Sequence, residues 1–141
     1  MAASRKAEDT ADRIHSAAIR LLRFVRKEDA ASGIPAAQLS ALSVLVFAGP
    51  QSLAALAAAE QVKPPTMSQL VAEMERKGLA VCAPVDRRSI RISATEKGRR
   101  LMEAGRKRRL ARLSAVLSRM PPEKLSVLRQ AADIIAAATE G

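Results

Sequence analysis

The sequence predicts a mainly α-helical fold that carries one small β-hairpin. Hydrophobic residues make up 48% of the chain but aromatic residues only 1%, a composition typical of packed helices rather than of a β-sandwich. Apolar residues recur at intervals of three and four over most of the chain, as on one face of a helix. Only residues 79–92 alternate between apolar and polar with the period of a strand.

Two helices are predicted in the first third of the chain. Residues 7–31 follow the helical period and form one long amphipathic helix, which Ser32 and Gly33 end. Pro35 suits the first turn of a second helix, because its fixed φ is compatible with that position. The glycine–proline pair that begins at Gly49 stops this second helix.

A helix-turn-helix motif is predicted next. Ser52 is the N-cap candidate of a short third helix over residues 53–60. A fourth helix begins near Pro64 or Pro65 and runs to Lys77. Two helices joined by such a tight turn are the pattern of a helix-turn-helix.

The alternating segment after Gly78 predicts a β-hairpin whose turn spans residues 85–88. Its apolar positions alternate along each strand, so they share faces of the hairpin. Leu79, Val81 and Ala83 share one face, and Ile90 and Ile92 share another.

Two further helices close the chain. Thr95 is the N-cap candidate of a long fifth helix, and the prolines Pro121 and Pro122 separate it from a sixth. A length of 141 residues suits one globular domain. We therefore expect a single domain over residues 1–141, with a central lobe at 36–98 and terminal helices at 7–31 and 99–139.

The fourth helix has one apolar face and one polar face. Its apolar face carries Met67, Leu70, Val71 and Met74. The outward-facing residues are Pro65, Gln69, Ala72 and Arg76, with Thr66 and Ser68 at the flanks. Glutamine can pair bidentately with adenine in a major groove, and the hydroxyls can bond bases or phosphates. We interpret this as a DNA recognition helix, although a solvent-exposed polar face has the same pattern in isolation.

The hairpin turn is basic. Arg87 and Arg88 protrude from it, and a guanidinium group there can enter a narrow minor groove, whose enhanced negative potential attracts it. Asp86 is expected to orient Arg88 by pairing with its side chain. A recognition helix followed by a basic hairpin predicts a winged helix-turn-helix, flanked here by N- and C-terminal dimerisation helices.

Ordered motifs along most of the chain resemble the MarR family of transcriptional regulators. They are Leu56-Ala57, Pro65-Thr66, Leu70-Val71, Met74-Glu75, Gly78-Leu79, Asp86-Arg87-Arg88 and Thr95-Glu96-Lys97-Gly98. The resemblance implies that Arg88 enters the minor groove with Asp86 as its orienting partner. It also implies that Thr66, Ser68 and Gln69 face the operator. Lys63, Arg99 and Arg100 are the candidates for phosphate contacts.

Charge and composition narrow the partners. Lys and Arg number 24 against 14 Asp and Glu, and the resulting net charge of +10 favours a polyanion. Nucleic acid is the first candidate and an anionic membrane surface the second. No apolar run reaches the roughly 20 residues of a membrane span, so we expect no membrane insertion and a cytoplasmic protein. A single Cys82 and a single His15 predict no disulfide, metal site or cofactor.

Function is predicted at the level of a homodimeric DNA-binding regulator. The exposed apolar stripes of the terminal helices, with Leu21, Leu22, Leu128 and Ile135, would otherwise form a large adhesive patch. Two recognition helices related by symmetry predict a near-palindromic duplex operator. We expect a repressor whose operator binding a small aromatic or phenolic acid relieves. His15 is the candidate for that effector pocket, which the family places between the first, second and fifth helices.

Other interpretations stay open on sequence alone. A basic module that binds DNA without sequence preference, or docks on membranes through residues 97–112, has the same charge. Within that run, residues 106–109 are interpreted as a solvated helix face. Binding of single-stranded RNA is less favoured, because it relies on aromatic side chains that stack on bases, and Phe24 and Phe47 both lie in apolar stripes. No nucleophile and base are paired in the motifs, so we expect no enzyme, and a lone Cys82 is more often inert than redox-active.

Overall fold

The computed structural model describes residues 2–141, and it describes side chains from Ser4 onward. Met1, with which the expected single domain begins, lies outside the described residues. Over these described residues the chain folds into six α-helices, a 3-10 helix and three short strands. In order these are α1 (Ala2–Arg26), the 3-10 helix (Lys27–Ser32), α2 (Ala36–Phe47), β1 (Gln51–Ser52), α3 (Leu53–Ala59), α4 (Pro64–Arg76), β2 (Ala80–Pro84), β3 (Ile90–Ala94), α5 (Glu96–Leu117) and α6 (Pro122–Thr139).

The first helix differs in its bounds from the predicted span of residues 7–31. It begins earlier, at Ala2, and its α-helical part ends at Arg26. Residues Lys27–Ser32 then tighten into a 3-10 helix, whose hydrogen bonds span three residues instead of four. Gly33 ends the segment with a φ of 70°, a left-handed conformation that glycine adopts without steric cost.

The hydrophobic core lies in the central part of the chain. Its largest fully buried side chains are Leu42, Leu56, Met67, Met74, Leu79 and Ile92. These residues come from α2, α3, α4, β3 and the turn after α4. Helix α6 contributes no buried residue. The core therefore holds the helix-turn-helix and the hairpin together, and α6 lies outside it.

The strands form one three-stranded antiparallel sheet with the order β1-β3-β2. The strand β1 was not predicted, because two residues are too few for alternation to show. Ser52 also caps α3, and its Oγ accepts a hydrogen bond from the Ala55 amide at 3.1 Å. In β2, Val81 and Ala83 share a face as predicted, but that face is exposed, and the buried residue is Ala80. The inward register pairs Cys82 with Ile92.

The burial of Leu79 comes from the cap of α4 and not from strand alternation. Its amide donates to the carbonyl of Met74 at 2.9 Å, and the Gly78 amide donates to Glu75 at 2.9 Å. Gly78 has a φ of 74°, and Lys77, Gly78 and Leu79 together form the C-terminal cap of α4. Leu79 therefore belongs to the helix cap, and the strand pattern starts one residue later.

The N-terminus of α5 is fixed against this cap. Thr95 is the predicted N-cap, and its Oγ1 accepts from the Gly98 amide at 3.1 Å and donates to the Gly78 carbonyl. The Thr95 amide donates to the Leu79 carbonyl at 3.0 Å. A Cβ at position 98 would collide with that same Leu79 carbonyl, so the close approach requires glycine.

Ion pairs connect α5 to the start of the chain. Arg109 binds Asp29 at 2.8 Å and Arg112 binds Glu28 at 2.8 Å, all four side chains being about one third exposed or less. The Arg112 guanidinium also lies 4.4 Å from the centre of the Phe24 ring. The interpretation of residues 106–109 as a solvated face is therefore wrong for Arg109. Its partner Asp29 is 80 residues away in sequence, so no local pattern indicates the pair.

Phe47 is 71% exposed at the end of α2, so its assignment to an apolar stripe is wrong.

Within the described residues no single helix is long and apolar enough to cross a membrane. One sharply bent pair, Ser4–Ser32 with Ala36–Phe47, meets the criterion by length and composition only.

Candidate nucleic-acid interface

Helix α4 presents most of its predicted outward residues to solvent. Lys63 precedes it in extended conformation, with Pro64 and Pro65 in the first turn. Met67, Val71 and Met74 are buried and Leu70 is half-buried, so the predicted packing face is confirmed. The exposed residues are Pro65, Thr66, Ser68, Gln69 and Arg76, whereas Ala72 is half-buried.

Ala72 is less exposed because it faces the hairpin. It lines a cavity of about 240 Å³ together with Leu53, Ser68, Glu75 and Cys82, among other residues. A methyl group in this position lies between the recognition helix and the sheet. It is therefore the least accessible of the six predicted positions on α4.

The hairpin turn is organised by Asp86. The Val85 amide donates to the Ser89 carbonyl at 3.0 Å and closes the turn. Asp86 Oδ1 accepts from the Arg88 amide at 2.8 Å and from the Ser89 amide at 2.9 Å. These backbone hydrogen bonds lower the pKa of the Asp86 carboxyl. The carboxylate thus fixes the backbone from which Arg88 projects.

The expected side-chain pair between Asp86 and Arg88 is therefore wrong. Within the described residues, no ion pair joins the two side chains. The carboxylate is occupied by backbone amides, which the turn brings within reach of it. Arg87 and Arg88 are both exposed, so their guanidinium groups stay available to an external anion.

The candidates for phosphate contacts lie beside these two elements. Lys63 and Arg99 are exposed. Arg100 pairs with Glu96 at 3.3 Å, but both side chains are more than two-thirds exposed. Such an exposed pair contributes little stability and exchanges readily for another anion.

A cavity of about 450 Å³ lies between α1, α2 and α5. Apolar side chains line it, including Leu22, Val25, Leu39 and Met102, and its charged lining residues are Arg26 and the ion pair of Arg109 with Asp29. His15 is exposed on α1 and does not line this cavity, so the structure does not place it at the predicted pocket. The two arginines were missed, since neither differs in sequence from the many other basic residues of these helices.

Cys82 has the properties of an unreactive thiol. Its Sγ donates to Glu75 Oε1 at 3.3 Å. Burial, and then this hydrogen bond and the negative charge of Glu75, raise the pKa of Cys82 to about 11. The thiolate is therefore scarce at neutral pH, in agreement with the interpretation of Cys82 as inert.

The terminal helices expose the predicted apolar stripes. Leu21 and Leu22 on α1 are 46% and 50% exposed. Leu128 and Ile135 on α6 are 42% and 41% exposed, and they lie seven residues apart on one face. All four side chains are thus partly exposed in the described chain.

A helix-turn-helix with a polar outward face, followed by an antiparallel hairpin with an arginine-rich turn, defines the winged helix-turn-helix class. Relatives then specify the family. A helix-turn-helix transcriptional regulator of Mycobacterium bovis is 34% identical over 123 residues, which cover 86% of each chain. One from Mycobacterium leprae is 35% identical over 121 residues, covering 84% of this chain and 85% of that protein.

The family model described as MarR family matches residues 32–89. The chain belongs to the MarR family of transcriptional regulators. It is therefore a DNA-binding regulator and not an enzyme, as the sequence predicted.

Solved structures share the fold. A transcriptional regulator from Thermotoga maritima superimposes with a TM-score of 0.82 at 24% identity, over 94% of this chain and 95% of that chain. A MarR family protein from Bacillus stearothermophilus gives a TM-score of 0.78 at 24% identity, over 98% of both chains. The predicted fold class, mainly helical with a small β-wing, is confirmed.

Proposed function

We propose that the protein is a homodimeric transcriptional repressor that binds a near-palindromic duplex operator in a sequence-specific manner. One observation carries the proposal: α4 exposes Thr66, Ser68 and Gln69 beside a turn whose arginines project from a backbone fixed by Asp86. Neutral hydrogen-bonding groups suit base edges, and guanidinium groups suit the minor groove and phosphates. The two kinds of contact lie on consecutive elements of one lobe.

The proposed division of labour follows the elements. Residues 36–98 form the DNA-binding lobe, in which Gln69 contacts a base and Arg76 holds a phosphate. Lys63, Arg99 and Arg100 supply further phosphate contacts at the edges of α4 and the wing, because all three are exposed. The terminal helices pair with those of a second copy through Leu21, Leu22, Leu128 and Ile135, whose exposure supports this role.

Repression follows from occupation of a promoter, since a dimer bound across two half-sites blocks access of the polymerase. Relief is proposed to come from a small aromatic or phenolic acid in the cavity between α1, α2 and α5. Its apolar walls suit an aromatic ring, and Arg26 suits a carboxylate, whereas Arg109 in the same wall is already paired with Asp29 at 2.8 Å. A ligand that binds better when the two lobes are spaced unfavourably releases DNA by a population shift.

Selection of bound fragments from randomised duplexes tests the core of this proposal. We expect enrichment of a near-palindrome whose half-site centres lie about 10 base pairs apart, because two recognition helices must enter successive major grooves on one face. Footprinting of the enriched duplex then shows protection of both half-sites. Enrichment of a single asymmetric half-site, or of no sequence, contradicts the proposal. Addition of phenolic carboxylates to the bound complex tests the effector separately.

The competing interpretation is a basic module without sequence preference, which the net charge of +10 also supports. Such a module binds selected and scrambled duplexes equally and floats with anionic liposomes. A sequence-specific cytoplasmic repressor favours the selected duplex and stays with DNA when liposomes compete. The same protein preparation therefore separates the two functions in one pair of assays.

A further inference from the structure

Gln38 on α2 is a buried polar side chain in a core that is otherwise apolar. It is 2% exposed, and it is the one polar side chain in the buried class among the described residues. Burial of an amide is unfavourable unless both of its ends form hydrogen bonds. The hydrogen-bond partners of Gln38 therefore indicate its role.

Both ends of the Gln38 amide bind the recognition helix. Its Nε2 donates to Glu73 Oε2 at 2.6 Å, and its Oε1 accepts from Lys77 Nζ at 2.7 Å. Glu73 lies in α4 and Lys77 is its C-terminal cap residue, four positions further on. The amide thus bridges a carboxylate and an ammonium group, and no direct ion pair joins those two among the described side chains.

This bridge is not the arrangement that local helix energetics favour. A glutamate four residues before a lysine normally pairs with it directly on the helix surface. A methionine at position 38 would fill a similar volume without burying an amide. Gln38 takes the place of a direct ion pair on α4 and of an apolar side chain in the core. Its hydrogen bonds are satisfied in only one arrangement of α2 and α4, so its role is better explained by fixing that arrangement than by adding stability.

The position of Glu73 links the bridge to the DNA-facing surface. Glu73 follows Gln69 by four residues, so the two side chains are about 40° apart around the helix axis. A free carboxylate at this edge of α4 would lie close to the outward residues and would repel phosphate. The bond from Gln38 draws the carboxylate of Glu73 toward α2 instead.

We propose that Gln38 is a positioning residue for DNA recognition: it fixes the rotation of α4 about its axis and withdraws the Glu73 carboxylate from the DNA-facing side. The inference rests on the proposed sequence-specific function. It adds a residue that touches no DNA but sets the discrimination between operator and other sequences.

A charge-conserving swap tests the bridge. Gln38→Glu places two carboxylates against each other and breaks the bond to Glu73. Adding Glu73→Gln restores the bond between positions 38 and 73 in the reverse direction, since the new amide donates to the carboxylate at position 38, and Lys77 donates to position 38 as before. The readout is the ratio of dissociation constants for scrambled and selected duplexes, which a uniform change in charge does not alter.

We expect Gln38→Glu to lower this ratio about tenfold, somewhat more than one net hydrogen bond corresponds to, because a like-charge contact is added. The double variant should recover the wild-type ratio to within about twofold. Gln38→Met, with its unfolding midpoint measured in parallel, should lose about fivefold in the ratio while its thermal stability stays at or above that of the wild type.

The outcomes separate the inference from the function on which it rests. If the wild type discriminates between the duplexes, and the folded variants Gln38→Glu and Gln38→Met discriminate as well as the wild type does, the positioning role is wrong and the proposed function stands. If a variant fails to fold, the double variant decides: an unrestored ratio in a folded double variant overturns the proposal. If the wild type itself does not discriminate, the proposed function fails first.

Discussion

The Asp86 carboxylate accepts a hydrogen bond from the backbone amide of Arg88 at 2.8 Å, and among the described side chains it forms no ion pair with the Arg88 guanidinium. The acid of the wing therefore orders the turn and does not neutralise the base beside it. An arginine that projects from an ordered turn loses less conformational entropy on binding than one on a mobile loop. This relationship has a direct consequence for variants of Asp86.

Asp86→Ala should bind duplex DNA about threefold to tenfold more weakly than Asp86→Asn, because asparagine retains one acceptor oxygen for the turn amides. Both variants remove the same charge, so their comparison isolates the hydrogen bonds. Titration of one labelled duplex at fixed salt measures the difference. Equal affinity of the two variants would show that the turn needs no acceptor at this position.

The same carboxylate gives a prediction for pH. Its folded pKa is lowered, so its ordering effect is fully present above the ordinary carboxyl pKa and is lost as pH falls through the lowered value. Wing-dependent binding, measured as the affinity difference between wild type and Asp86→Ala, should therefore stay constant through the neutral range. A difference that disappears between pH 8 and pH 6, roughly the range of histidine titration, would assign the effect to another group.

The two glycines of α5 should differ in how much an alanine substitution destabilises the protein. In Gly98→Ala the new Cβ meets the Leu79 carbonyl, which is backbone and cannot move aside, so we expect a loss of about 1 to 3 kcal/mol in the free energy of unfolding. Gly105→Ala meets only the ends of Arg108 and Arg109, and the gain in helix propensity keeps its change within about 1 kcal/mol. Urea denaturation of both variants compares them. Equal stabilities would contradict the close approach at Gly98.

Cys82 should alkylate slowly at neutral pH. With a pKa of about 11, only about one thiol in ten thousand is ionised at pH 7. The rate with iodoacetamide should rise steadily to pH 10, whereas the unfolded chain, as control, levels off earlier. Glu75→Gln should raise the rate at pH 8, because it removes the negative charge beside the sulfur. A plateau near neutral pH in the folded protein would identify a reactive thiol instead.

Dimerisation is tested on one face of α6. Leu128→Glu should give a monomer at micromolar concentration and lower operator affinity by about a hundredfold or more, since the second recognition helix no longer acts in the same complex. Gln130→Glu adds the same charge about 200° around the helix and should stay dimeric. Sedimentation velocity distinguishes the two. A wild-type monomer would remove the dimeric form of the proposal.

Much of the recognition lobe could be predicted from local patterns. The caps Ser52 and Thr95 are confirmed, because a side chain three residues from its target amide is a local arrangement. The packing face of α4 is confirmed, because four apolar residues with helical spacing define it. Both features depend on neighbours within one turn of the chain.

The errors, and the features that the sequence analysis missed, have a different cause. Leu79 follows a helix cap rather than the strand period, and β1 has only two residues, too few for alternation to show. Arg109 and Gln38 find partners 80 and 35 residues away, respectively. A buried glutamine and a paired arginine look like surface residues in the sequence. Their roles depend on tertiary contacts that no local pattern encodes.

The central claim, that α4 discriminates bases while the wing anchors the complex, is tested most directly by the salt dependence of two variants. Arg88→Ala should weaken binding to selected and scrambled duplexes and lower the slope of log affinity against log salt by roughly one unit per wing contact removed. Arg119→Ala, an exposed arginine in the α5–α6 turn outside the proposed lobe, is the matched control and should leave the slope unchanged.

Gln69→Ala is the decisive variant in the same titrations. It should lose about 1 to 3 kcal/mol on the selected operator and little on the scrambled duplex, with an almost unchanged salt slope, because a base contact releases no counterion. Equal losses on the selected and scrambled duplexes would contradict the claim. They would mean that the recognition helix anchors the protein on DNA without discriminating between sequences.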